Sequence, residues 1–192
     1  MDRSENLRRP EPGLFWTVIV SVVVADIITK LLAVRYLVPI RAPHEVLGDW
    51  VRLTLVYNPG AAFGIHLGPY SRWIFMALTV FALVILWRLY GQTRQGDLIR
   101  VTSLALVCGG AIGNLIDRVR SPLGVVDFID MGVRIGMTEY RWPTFNVADM
   151  AVSTGAFLLA WVLWGEDREA TAAGAPSAHA PGPVATEQGK AS

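Results

Sequence analysis

The 192-residue chain is 53% hydrophobic and only 17% charged, a composition that argues against a soluble domain and for a membrane protein. The formal net charge of +1 and the lack of a basic block in the sequence predict no nucleic-acid partner. A single cysteine, Cys108, excludes an internal disulfide bond and is expected to be a small packing residue.

Four apolar runs are candidates for membrane-spanning helices, which need roughly 17 to 25 residues each. In chain order they cover residues 14–34, 73–90, 101–116 and 147–164. Buried helices of a soluble core are the alternative, but almost no amphipathic helix remains to cover such a core. The first run is longer than the apolar region of a signal peptide, and no Ala-x-Ala-like cleavage site closes it. We therefore predict that the first helix is not cleaved and that the chain has four spans.

Two segments between the spans have the pattern of β-strands. Residues 51–57 alternate in the β manner and lead into the turn sequence Asn58-Pro59-Gly60, and residues 124–135 are rich in β-branched and aromatic side chains. The sequence thus predicts a mainly α membrane protein, with four transmembrane helices and a small β-platform on the outer face.

Four spans put both chain termini on the same side of the membrane. Arginines before the first run and between the second and third favour the cytoplasm for that side. We expect residues 1–13 to be a cytoplasmic N-terminal segment and 14–165 to form the four-helix membrane domain with its outer β-rich loops. Residues 166–192 are rich in Ala, Pro and Gly and are expected to be a disordered cytoplasmic tail.

Polar side chains gather at the outer ends of the predicted spans and in the outer loops. Ionisable groups in such places are costly and usually face a bundle interior or a wet cavity, so they are candidates for a functional site. The set comprises Asp26, Lys30, Asn58, Asn114, Asp117, Arg118, Asp127, Asn146 and Asp149. Because they come from separate segments, their gathering on one side predicts a site.

Simpler structural roles stay open for most of these residues. Asp26 and Lys30 have the i, i+4 spacing of a helical ion pair. Asn146 and Asp149 have the spacing of a capping box at the start of the fourth helix. Asp117 and Arg118, at the end of the third span, could simply close that helix at the lipid headgroups.

Asp127 is the hardest of these residues to explain structurally, because an acid flanked by Val126 and Phe128 suggests a partly dry pocket. None of the three histidines has the spacing of a metal ligand, and none is placed to activate a Ser or Cys nucleophile, so we expect no metal and no cofactor. Two aspartates that share one proton remain, a pair that can hydrolyse a peptide by activating water.

Five short motifs run in order from the first predicted span to the last. They are Asp26-Ile-Ile-Thr-Lys30, Asn58-Pro-Gly-Ala-Ala-Phe-Gly64, Gly109-Gly-Ala-Ile-Gly-Asn-Leu-Ile-Asp-Arg118, Val125-Val-Asp-Phe128 and Phe145-Asn-Val-Ala-Asp149. Together they resemble the lipoprotein signal peptidases, the signal peptidase II family of bacterial inner-membrane aspartic proteases. The resemblance covers about residues 14 to 164, and the family's fold is similar to the one predicted above.

The resemblance implies that Asp127 and Asp149 are the catalytic pair. Positions that line the family's site match Asn58, Asn114, Arg118 and Asn146. Positions that support it match Asp26, Lys30 and Asp117. In the second motif, Gly60 suits a loop that lets a peptide backbone come close, and Phe63 is expected to cover that peptide.

The implied substrate is a diacylglyceryl-modified prolipoprotein, cut just before its lipid-modified cysteine. Its signal helix would lie between the enzyme's helices, with the acyl chains in the bilayer. We expect a monomeric, multi-pass enzyme of the bacterial inner membrane, with its active site towards the outer, periplasmic leaflet. Its partners would be prolipoproteins and membrane lipid.

Two other classes of function compete with this interpretation. A small proton-coupled transporter or channel subunit would use intramembrane carboxylates as a relay, but it would spread polar residues across the membrane rather than gather them on one side. A purely structural membrane anchor would not explain the carboxylates gathered near one face. Cleavage of a lipidated peptide by the purified protein would separate the three.

Overall fold

The computed structural model describes residues 11–60 and 68–174. Within these ranges it contains four long helices, four strands and one short 3-10 turn. In chain order they are α1 (Pro12–Tyr36), β1 (His44–Leu47), β2 (Val51–Asn58), the 3-10 turn Gly68–Tyr70, α2 (Ser71–Gln92), α3 (Leu98–Arg120), β3 (Val125–Ile135), β4 (Thr138–Arg141) and α4 (Val147–Gly174).

All four long helices are long and apolar enough to cross a membrane, α4 over Val147–Glu166. Large apolar side chains such as Trp16, Val20 and Ile28 are exposed on the surface of α1. Such surfaces are stable when lipid covers them. Together with the sheet, the four helices confirm the predicted fold class.

Helix α3 packs against all three other helices, and glycines at the contacts allow close approach. A Cβ atom at Gly109 would lie 2.9 Å from Val22 Cβ of α1, and one at Gly155 of α4 would lie 2.6 Å from the Ser103 carbonyl oxygen. The missing side chains at Gly109 and Gly155 therefore let α3 pack closely against α1 and α4. Cys108 is buried in the same core, as expected.

The strands form one antiparallel sheet in the order β1-β2-β3-β4. Ala33 and Leu37 at the end of α1 pack against Leu55, Val126 and Phe128 of the sheet. This apolar cluster docks the sheet on the end of the bundle where α1 ends. The sequence pattern predicts β2 and β3, but not the short, largely exposed strands β1 and β4.

A β-bulge interrupts the pairing of β2 with β3. Leu53 pairs with Ile129 and Val56 pairs with Asp127, so two residues of β2 lie opposite one residue of β3. Bulges change the direction of side chains and are frequent beside active sites. This one directly precedes the pair that contains Asp127.

Helix α4 continues nine residues beyond the boundary expected at Gly165, to Gly174. The first residue of this extension is tied to the start of α3, because Arg100 Nη2 lies 2.6 Å from Glu166 Oε2. The predicted disorder of the tail stays a prediction for residues 175–192, which lie outside the described residues.

Candidate active site

Asp127 lies in β3 and is only 2% exposed. Its Oδ1 accepts a hydrogen bond from Asn146 Nδ2 at 2.7 Å. Its Oδ2 accepts a second from Asn58 Nδ2 at 3.1 Å. The dry pocket inferred from the flanking sequence is therefore present, and polar partners from β2 and from the start of α4 enter it.

Asp149 lies in the first turn of α4 and is held by the capping box that the spacing predicts. The backbone N–H of Asn146 donates to Asp149 Oδ2 at 3.2 Å, and the backbone N–H of Asp149 donates to Asn146 Oδ1 at 3.0 Å. Asn114 Nδ2 of α3 donates to Asp149 Oδ1 at 2.8 Å. Every carboxylate oxygen of Asp127 and Asp149 thus accepts at least one hydrogen bond.

Two asparagines connect the two aspartates. Asn146 Nδ2, besides its bond to Asp127, lies 3.1 Å from Asn114 Oδ1, and Asn146 is fully buried. Asn114 in turn donates to Asp149. Because an amide both donates and accepts, this chain of side chains fixes the relative positions of the carboxylates.

A buried ion cluster lies directly behind Asn114. Lys30 Nζ is 2.8 Å from Asp26 Oδ2, 2.8 Å from Asp117 Oδ2 and 3.1 Å from Asn114 Oδ1. The predicted i, i+4 pair is thus part of a larger network. A buried charge needs such partners, because desolvation of an unpaired one is costly.

The two acids of this cluster also bind backbone N–H groups of the site. Asp26 Oδ1 accepts from the Ala148 N–H at 3.0 Å, and Asp117 Oδ2 accepts from the Val126 N–H at 3.2 Å. Ala148 and Val126 are each next to a residue of the aspartate pair. The ion cluster therefore connects α1 and α3 to the two segments that carry those aspartates.

Arg118, at the end of α3, crosses to the loop after β2. Its Nη2 donates to the Gly60 carbonyl oxygen at 2.9 Å. From the start of α2, Arg72 Nε donates to the Arg118 carbonyl oxygen at 2.6 Å. Of the residues predicted in this loop, Gly60 is placed beside the site, whereas Phe63 lies outside the described residues.

Burial is the main reason why the pKa of Asp127 is raised to about 7, and the negative charge of Asp149 adds to it. Hydrogen bonds from Asn58 and Asn146 oppose the rise, since they favour the ionised carboxylate. Near neutral pH Asp127 can therefore carry a proton. A carboxyl group that can give and take a proton near neutral pH is what general acid–base hydrolysis needs.

The aspartates open on a cavity of about 550 Å³. Its polar end contains Asn58, Asn114 and Arg118 together with the two aspartates. The rest of the lining is Val125, Trp142, Pro143, Thr144, Phe145, Met150, Val152, Ser153 and Thr154. Sequence reasoning missed most of this largely apolar wall, because nothing in residues 142–144 except a proline before a helix sets them apart. Phe145 stands out only as the first residue of the fifth motif. Ser153 and Thr154 of α4 also line the cavity.

In the part of the chain that the structure describes, no three His, Cys, Asp or Glu side chains come together as metal ligands. The polar groups of the cavity include amides, carboxylates, hydroxyls and one guanidinium. Such groups can bind a peptide backbone through its N–H and C=O groups.

Comparisons with known proteins agree with this arrangement. The family profile of signal peptidase (SPase) II matches residues 18–165. The chain is 37% identical over 152 residues to the lipoprotein signal peptidase of Chlorobaculum tepidum, covering 77% of this chain and 91% of that protein. It is 39% identical over 160 residues to that of Cupriavidus necator, covering 82% and 86%. A solved bacterial membrane enzyme is similar with a TM-score of 0.73 at 29% identity, over 83% of this chain and 93% of the other.

Proposed function

Because the chain belongs to the signal peptidase II family, we propose that it is an aspartic endopeptidase with Asp127 and Asp149 as its catalytic pair. It is a multi-pass membrane peptidase, and its membership of this family is evidence that it processes the signal peptides of prolipoproteins. The observation that carries the proposed mechanism is the convergence of two carboxylates, from β3 and α4, on one cavity with Asn146 between them.

In this mechanism Asp127 is the protonated member of the pair, consistent with its pKa of about 7. Asp149 is the ionised member, because the first turn of a helix favours a negative charge. Asp149 takes a proton from water as the water oxygen attacks the scissile carbonyl carbon, and Asp127 gives its proton to the carbonyl oxygen.

The resulting gem-diol then collapses. Asp127 takes back a hydroxyl proton while the carbonyl re-forms, Asp149 gives its proton to the leaving nitrogen, and the C–N bond breaks. Both carboxyl groups return to their starting states. Asn58, Asn114 and Asn146 keep the carboxyl oxygens in place through these steps. Arg118, which lines the cavity, would bind a substrate carbonyl.

The cavity also suggests how the substrate approaches. Met150, Ser153 and Thr154 are exposed on α4 and line one side of it, so a signal helix in the bilayer could reach the aspartates from that side. The bond cut would be the one before a diacylglyceryl-cysteine, whose acyl chains stay in the lipid. Phe63 is proposed to cover the bound peptide.

The site lies at the bundle end where α1 and α3 finish and where α2 and α4 begin. With both termini in the cytoplasm, this end faces the outer leaflet of the bacterial inner membrane. A monomer suffices in this proposal, since both aspartates come from one chain.

The proposal is tested with purified enzyme and two forms of one prolipoprotein peptide, with and without the diacylglyceryl group on its cysteine. Mass spectrometry of the products should show a new amino terminus at the lipid-modified cysteine, and the unmodified peptide should stay intact. Cleavage elsewhere, or of both forms equally, would contradict the proposed specificity. If the enzyme cuts neither form, the transporter interpretation becomes the stronger one.

A further inference from the structure

Residues 142–145 form one part of the cavity wall, and this part belongs to none of the helices or strands. The segment is fastened to β3 near both its ends. The Trp142 N–H donates to the Met131 carbonyl oxygen at 2.8 Å, and Phe145 and Ile129 exchange backbone hydrogen bonds at 3.0 and 2.8 Å. Its position is therefore set by how β4, which leads into it, lies against β3.

Arg141 is the last residue of β4 and directly precedes this wall. Its Nε donates to Asp130 Oδ1 at 2.6 Å and its Nη2 donates to the Asp130 carbonyl oxygen at 3.1 Å. Its Nη1 donates to Glu139 Oε1 at 2.7 Å and to the Asp49 carbonyl oxygen at 3.0 Å. One guanidinium thus joins β3, β4 and the turn between β1 and β2.

Gly132 leaves the space that this guanidinium occupies. A Cβ atom at Gly132 would lie 2.8 Å from Arg141 Nη1 and 2.9 Å from the Tyr140 carbonyl oxygen. Since Gly132 pairs with Arg141 across the two strands, any side chain there would displace the arginine. The strand register and the missing Cβ at Gly132 therefore leave room for the Arg141 guanidinium.

Asp130 is buried, 8% exposed, and its other carboxylate oxygen is occupied as well. Oδ2 accepts from Thr54 Oγ1 of β2 at 3.0 Å. Asp130 does not line the catalytic cavity, and the hydrogen bonds to Asp127 come from Asn58 and Asn146. Asp130 is therefore linked to the wall of the cavity and not to the reacting carboxylates.

We propose that Asp130 and Arg141 form a brace that positions the 142–145 wall against the bound peptide. Both are positioning residues, since neither contacts the aspartate pair. The inference rests on the proposed function, because the bound peptide is its substrate. A loosened wall weakens substrate binding and leaves proton transfer at Asp127 and Asp149 intact, so its effect falls on KM rather than on kcat.

The test is steady-state kinetics of the full-length enzyme in detergent with the lipidated peptide. Asp130→Asn and Arg141→Ala should each raise KM about tenfold, equivalent to about 1.4 kcal/mol, with kcat within about twofold of wild type. Arg141→Lys keeps the charge but loses the forked contact, so its KM should lie between those of Arg141→Ala and wild type. Arg134→Gln is the control, because Arg134 also pairs in the sheet, 3.1 Å from Asp49, but is 53% exposed.

Thermal unfolding of each variant shows whether a change in KM comes from a folded enzyme or from loss of the fold. If Arg141→Ala does not fold, the test uses Asp130→Asn and Arg141→Lys. An unchanged KM in the folded variants would overturn the brace. So would a fall in kcat at constant KM, or an equal rise of KM in Arg134→Gln. A wild-type enzyme that cuts nothing would instead overturn the proposed function, and the brace with it.

Discussion

Asn146 and Asp149 cap each other at the start of α4, with the two reciprocal hydrogen bonds at 3.2 and 3.0 Å. Asn146 also donates its side-chain N–H to Asp127 Oδ1 at 2.7 Å. The structural and functional interpretations of this pair are therefore compatible. The cap that starts the helix also fixes the distance between the two carboxylates.

Replacing Asn146 separates its two tasks. Serine is a good N-cap but too short to reach Asp127, so Asn146→Ser should keep the cap and lower the free energy of unfolding by about 1 to 3 kcal/mol through the lost buried hydrogen bond. Its kcat should fall about tenfold to a hundredfold, as expected for a lost hydrogen bond to a carboxyl group that becomes ionised during the reaction. Asn146→Ala should lose the same activity and a further ~1 kcal/mol of stability. Equal activity of Asn146→Ser and wild type would show that the contact with Asp127 is not used.

Gly113 is required because Asp26 lies against it. A Cβ atom at Gly113 would be 2.6 Å from Asp26 Oδ2 and 3.3 Å from Ala148 Cβ. Gly113→Ala should therefore destabilise the protein by about 1 to 3 kcal/mol and lower activity, because it pushes α1 and α4 away from α3. Gly91→Ala is the matched control, since a Cβ there meets no atom within 4 Å. Unfolding in detergent compares the two, and similar stabilities would contradict the packing account.

Lys30 is the cation that neutralises the buried acids behind the site. Lys30→Met keeps most of the side-chain volume but leaves Asp26 and Asp117 without their shared partner, at an expected cost of about 3 to 5 kcal/mol. Adding Asp26→Asn removes one of the two negative charges, so the double variant should be more stable than Lys30→Met alone. Chemical denaturation measures this order, and a double variant less stable than the single one would contradict it.

The rate of cleavage should depend on the proton of Asp127. With a pKa of about 7, this carboxyl group loses its proton as the pH rises through neutrality, and kcat/KM should fall about tenfold per pH unit above that point. The hydrogen bond from Asn58 favours ionised Asp127, so Asn58→Ala should move this alkaline limb to higher pH. An alkaline limb that moves to lower pH in Asn58→Ala would contradict the assignment. So would a wild-type kcat/KM that does not change up to about pH 9.

The same proton affects stability with a definite sign. The pKa of Asp127 rises on folding from its ordinary value of 3.8 to about 7, so the folded state holds a proton that the unfolded state has already lost. The free energy of unfolding should therefore decrease as the pH rises from about 4 to about 7. Asp127→Asn should show a weaker decrease in that range, because the substituted amide does not titrate. Denaturation curves at several pH values compare the two proteins.

Much of the fold and the site could be predicted from local sequence. Apolar runs long enough to cross a bilayer define the helices, and the cost of placing acids such as Asp26 near lipid marks them as members of a network. The spacing of Asn146 and Asp149 is enough to predict the capping box that they form. What these features share is that their physical cause lies within one helix or one turn.

Features that depend on distant residues could not be predicted in this way. Strand β4 has no apolar alternation and exists because it pairs with β3. The extension of α4 is tied down by Glu166 through Arg100, a contact between residues 66 positions apart. Lys30 meets Asn114 over a separation of 84, so the sequence shows both residues without showing that they touch.

The central claim is that Asp127 and Asp149 carry out the cleavage, and their Asn variants test it most directly. Asp127→Asn and Asp149→Asn keep the side-chain shape but replace the carboxyl group with an amide that does not take or give a proton, so each should fold and lose at least about a thousandfold in kcat on the lipidated peptide. Asp97→Asn is the control, because Asp97 caps α3 through the Arg100 N–H and Asn caps equally well. A chelator should leave the wild-type rate unchanged. Near-normal turnover by either site variant would show that the pair is misassigned.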